Sequence, residues 1–253
     1  MQEKITDTLR KKLRDALKAN LEPIDRWIPE LQFQSHIGSS PYFEEGEEWP
    51  TNSHGTPLDF IIQIARKDAP LIPEWIDLLQ FYILWGDDSP YEYGDECWVI
   101  KAYPHIETRK AKIIEKPKKL RKKKGWPNPW PKPCKPSFEP IQSLPSASDE
   151  EASYFTDIIE KMSGKYVGLD DYEKLESAVI GKDFLDYITQ SADIRNGCNM
   201  TKSPLNSSGK RMKLLLQINS EDDANLMWED DGLVYIFYDP GNPGTFEYVR
   251  QEG

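Results

Sequence analysis

One stretch of this chain is present twice, and it restricts the fold more than any other feature. LDFIIQI, a polar connection and LLQFYIL at residues 58–84 are answered by KLLLQI and GLVYIFY at residues 213–238. The two align without a gap at an offset of 154 residues, which pairs Gln63 with Gln217, Ile64 with Ile218, Asp68 with Asp222, Asp77 with Asp231 and Leu79 with Leu233. A repeated block of this kind marks an internal duplication. Each copy has two short apolar runs rich in Ile, Leu, Phe and Tyr, which suits buried strands better than helices. Asp230, Asp231 and Gly232 form a turn signal before the second strand of the later copy. Trp75 and Trp228 stand shortly before that strand in their copies, and a third strand is expected near Trp98 and again near Phe246.

The expected fold is therefore α+β: two pseudo-symmetric antiparallel-sheet halves with flanking helices. At 253 residues the chain can bury a substantial core. The first half covers about residues 31–105, a basic Pro/Trp-rich insert about 108–136, a helical connector about 147–190 and the second half about 194–250. All belong to one duplicated domain. Ile5, Leu9, Leu13 and Leu17 recur every fourth residue and predict an amphipathic N-terminal helix. A short strand is expected over residues 31–34. Ser148 and Glu151 make a capping box ahead of Phe155, Ile158, Ile159 and Met162, a helical face that Gly164 closes. Two further short helices are expected within residues 172–188.

Charge is unevenly placed. The net charge is −11, yet residues 101–135 carry thirteen basic and two acidic residues, so an acidic body bears a basic arm. Lysines and prolines there alternate with Trp126 and Trp130, which predicts an extended surface arm with neither helix nor regular strand. Basic residues interleaved with aromatics can hold single-stranded nucleic acid by phosphate contacts and stacking. The preferred reading is that the arm folds back on the acidic body. No apolar run reaches membrane-spanning length, and the charged N-terminal residues have no signal-peptide core, so the cytoplasm is expected and a membrane is not. Cys97, Cys134 and Cys198 are scattered and odd in number, which fits reduced thiols.

LQFQSHIG, PYF, GEEWPTNSHGTPLDFIIQI and LLQFYI in the first half, with LLLQINSEDD and MWEDDGLVYIFY in the second, resemble the YwqG-like family of bacterial proteins. The chain departs from the family pattern in its basic insert and in the single Gly197, where relatives carry a glycine pair. The resemblance implies a duplicated α+β fold and supplies no catalytic residues.

Chemistry is thinly marked. The chain has no phosphate-binding loop, dinucleotide glycine fingerprint, nucleophile elbow or HExxH, and His36, His54 and His105 have no ligand spacing, so neither cofactor nor metal is expected. Asp68 with Asp222 and Asp77 with Asp231 read as turn residues rather than acid–base pairs. Gln63 and Gln217 end apolar strands and are expected to serve as equivalent structural amides, with ligand contact the sharper alternative. The candidate binding residues are thus Gln63, Gln217, Trp75, Trp228, Trp126 and Trp130. The function expected is a non-enzymatic cytosolic module that binds a protein partner, such as an immunity protein against a toxin. Nucleic-acid binding through residues 109–136, or an enzyme of unrecognised type, is the alternative.

Overall fold

The structure, a computed structural model, describes residues 7, 11, 14–85, 97–115, 117, 131–143, 160–161, 194–196, 204–228 and 232–251. Its strands are β1 (Arg14–Pro23), β2 (His36–Ile37), β3 (Phe43–Glu44), β4 (Asp59–Ala65), β5 (Leu78–Ile83), β6 (Trp98–Tyr103), β7 (Ala111–Lys112), β8 (Cys134–Ser143), β9 (Ile194–Asn196), β10 (Lys213–Asn219), β11 (Leu233–Tyr238) and β12 (Phe246–Gln251). A 3-10 turn spans Pro29–Phe33. Among the described residues the fold is nearly all antiparallel β, which corrects the expected α+β architecture with flanking helices.

Of the N-terminal stripe only Leu17 is described, and there the expected helix is corrected; Ile5, Leu9 and Leu13 lie outside the described residues. Leu17 lies in β1, not on a helix, and pairs with Asn196. The four-residue spacing from Ile5 to Leu17 coexists with a period of two in Leu17, Ala19 and Leu21, and cross-strand pairing decided between them. Leu17 and Ala19 are buried as a result. The strand expected at residues 31–34 is mostly the 3-10 turn, and the pairing strand begins at His36. Of the capped connector helix only Glu160 and Lys161 are described, both with helical backbone. Its capping box and apolar face, and the helices expected within 172–188, lie outside the described residues.

The chain divides into two compact units. Asn20–Phe138 and Ser220–Asp231 form the first. In it β4, β5 and β6 make an antiparallel meander, β2 pairs on the other side of β4, and Ile37 of β2 pairs with Cys134 of β8. All seven residues of β4 and all six of β5 are buried, which is why both read as near-continuous apolar runs. The ends of the basic insert are also strand: Ala111–Lys112 pairs with Phe43–Glu44, and Cys134 to Pro136 belong to β8. This corrects the reading of the whole insert as an arm without regular strand, for its terminal residues find partners and a proline is tolerated where no ladder N–H is needed.

The second unit comprises Met1–Ala19, Glu139–Asn219 and Gly232–Gly253. Here β10, β11 and β12 make the meander, β9 pairs with β10, and Leu17 and Lys18 of β1 pair with β9. Both meanders carry a bulge at the same place, between Phe60 and Ile62 in one and between Leu214 and Leu216 in the other. The offset of 154 therefore holds for the first strand. It slips in the second: Gln63 faces Gln80 but Gln217 faces Tyr235, so β5 corresponds to β11 at 155 residues, and Leu79 matches Val234 instead of Leu233. A one-residue shift moves a strand's side chains to the opposite face, so the gapless alignment misassigned the whole second strand.

Candidate functional site

The first meander places four residues in one cross-strand row, His36, Gln63, Gln80 and Lys101. The first three are buried polar side chains on largely apolar strands, so each needs an internal partner. The two glutamines find theirs in one residue. Oε1 of Gln63 accepts the backbone N–H of Tyr42 at 2.9 Å, and Nε2 of Gln80 donates to the carbonyl of Tyr42 at 2.7 Å. The amides thus grip an extended residue as a neighbouring strand would. Gln80 Nε2 also donates to Gln63 Oε1, and Gln63 Nε2 donates to the carbonyls of Gln32 and Gln34.

Tyr42 leads into β3, whose Phe43 packs with Trp49, Leu58, Phe60, Tyr82, Leu84 and Cys97 in one apolar cluster. The indole N–H of Trp49 donates to the carbonyl of Leu58 at 2.7 Å. Beyond β3 the chain turns through Gly46, whose φ of 88° a side-chain-bearing residue rarely adopts. Glu47 returns over the meander. Its carboxylate accepts from Lys101 Nζ, from the Tyr103 hydroxyl at 2.9 Å and from the backbone N–H of Glu44. The Lys101 ammonium lies 4.8 Å from the centre of the Phe43 ring and 5.1 Å from that of Tyr103, so cation–π attraction adds to the ion pair.

Burial, with Glu44 and Glu47 close by, pushes the Tyr42 hydroxyl up to about 12. The Tyr103 and Tyr82 hydroxyls are raised for the same first reason, burial, and then by Glu47. These phenols stay protonated at neutral pH and act as donors, Tyr82 to Gln80 Oε1 and Tyr103 to Glu47. The cluster holds residues 42–47 against the sheet. It leaves Glu45 and Glu48 exposed on a turn whose neighbours are fixed, with Lys110 and Lys112 exposed on the adjacent segment.

His36 closes the row between the rings of Trp27 and Phe60, at 5.1 and 5.3 Å between centroids. Burial lowers its imidazole to about 4, so it is neutral at pH 7. Its Nδ1 lies 3.0 Å from the Gln34 carbonyl, which places the proton there. The 3.5 Å approach of Gln63 Nε2 to the same nitrogen is then donor against donor and no hydrogen bond. Nε2 of His36 has no partner.

The second meander repeats the row with different chemistry: Arg195, Gln217, Tyr235 and Val249. Gln217 is fully buried, donates to Asn219 Oδ1 at 2.8 Å, and has an Oε1 without a partner. Gln63 and Gln217 are equivalent in position but not in bonding. Gln80 is replaced by Tyr235 and Lys101 by Val249, so among the described residues the second meander does not repeat the polar clasp.

The other sequence candidates do not join this cluster. Trp228 is buried edge-on to Trp85 at 4.9 Å and near Phe81 at 6.3 Å, while Trp75 is half-buried before β5. Trp126, Trp130, Cys198 and Asp231 lie outside the described residues. Asp68 accepts the N–H of Ser35 and so ties the β4–β5 connection to the residue before β2, while Asp77 pairs with Arg66 at 2.9 Å within that connection. Among the described residues no group of three His, Cys, Asp or Glu side chains gathers as a metal site. No helix among them is long and apolar enough to cross a membrane.

Sequence reasoning missed the clasp residues Tyr42, Glu47, Gln80 and Lys101. It also missed a second repeated element, PTNSHG at residues 50–55 against PLNSSG at 204–209, again 154 apart. Asn52 Oδ1 accepts from the N–H of His54 and Thr56, and Asn206 Oδ1 from those of Ser208 and Lys210. Gly55 and Gly209 follow with φ of 74° and 72°. The identical Asn, Ser and Gly spacing was the available signal.

A family model described as "Domain of unknown function (DUF1963)" matches residues 35–242. The chain belongs to that family. The match takes in the clasp and the first meander of this DUF1963 chain, with β10 and β11 of the second, and ends before β12. No curated protein matches it.

Proposed function

We propose that this DUF1963 protein is a non-enzymatic binding module that acts in the cytoplasm on a basic protein partner, in the role of an immunity protein against a toxin. The observation that carries the reading is the acidic turn at residues 44–48. Glu47 points inward to three donors, and Glu45 and Glu48 are left exposed on a backbone already fixed. A preorganised charged turn loses little freedom on binding and steers an oppositely charged partner. The net charge of −11 adds long-range attraction of the same sign. The clasp's side chains are bonded to one another, which suits a scaffold better than a reaction centre. The YwqG-like resemblance of residues 31–103 and 211–238 is part of the same reading.

The test is affinity capture from the native host by the intact chain and by a Glu45→Lys, Glu48→Lys variant of matched stability. A basic protein retained only by the unaltered chain is expected, and co-expression should relieve that protein's toxicity. Identical retained proteins, or tight salt-sensitive binding of single-stranded oligonucleotides instead, would favour the alternative through residues 109–136.

A further inference from the structure

We draw no further inference here: the strongest candidate, the buried and unpartnered Oε1 of Gln217 on the aromatic face of the second meander, carries nothing because nothing among the described residues shows what covers that face.

Discussion

Gln63 and Gln80 hold Tyr42 by both of its backbone groups, at 2.9 and 2.7 Å, and are themselves joined by a 2.9 Å hydrogen bond. Two side-chain amides from paired strands thereby bond the backbone of Tyr42 as a neighbouring strand's peptide groups would. Tyr42, Phe43 and the acidic turn after them are placed by those bonds.

Gln63→Leu should be the costlier of the two equivalent glutamine substitutions. It strands the N–H of Tyr42 and the carbonyl of Gln32 and weakens the bonding at Gln34, a loss of about 3 kcal/mol in total. Gln217→Leu removes one hydrogen bond together with an acceptor that had no partner, so about 1 kcal/mol or less is expected. Urea denaturation of both variants measures this, and equal shifts in midpoint would restore the symmetric roles expected from sequence.

Removing the carboxylate in Glu47→Ala takes the acceptor from Lys101, Tyr103 and the Glu44 N–H at once. A loss of about 2 to 3 kcal/mol is expected, because a partly buried ammonium is left without its counter-charge. A double-mutant cycle with Lys101→Met should show coupling of about 1 kcal/mol or more. Additive effects would mean the two side chains do not act together.

His36 sets an acid limit on stability. The unfolded chain takes up this proton near pH 6.5, the native state only near 4, so between those values the unfolded state binds more protons. Its contribution therefore weakens as pH falls from about 6.5 to about 4, by about 3 kcal/mol over the window, and levels off below. The difference between the unaltered chain and His36→Leu, followed from pH 7 to 4, should shrink accordingly. A constant difference would show that the native imidazole titrates normally.

Glycine substitutions separate strain from crowding. Gly55→Ala and Gly209→Ala put a side chain at φ of 74° and 72° with no atom within 4 Å, so each should cost about 1 kcal/mol. Gly38→Ala meets the Pro131 carbonyl oxygen at 2.9 Å as well as a φ of 61°, and should cost clearly more. Thermal unfolding of the three variants gives the order.

The meander strands were legible because their apolar runs are short and bounded by turn residues, and β4 with β10 keeps one offset through the bulge. Register in the second strand was not legible. Leu79 and Leu233 are identical in type, yet one extra residue in the later connection makes Val234 the true counterpart of Leu79. Apolar residues substitute for one another too freely to reveal such a slip. The clasp was hidden for another reason: Gln80 and Lys101 are far in the chain from Tyr42 and Glu47, and the four carry no shared spacing. Only the folding of residues 42–47 across the meander brings them together. Leu17 went wrong because one residue satisfies both helical and strand periods, and pairing with β9 is not visible locally.

The most direct measurement is the affinity of the captured partner for the unaltered chain and for the Glu45→Lys, Glu48→Lys variant, by titration calorimetry at low and moderate salt. Binding by the acidic turn predicts at least about tenfold weaker affinity for the variant at low salt, and a salt dependence that shrinks with it. An unchanged affinity and an unchanged salt dependence, with both proteins equally folded, would contradict the account.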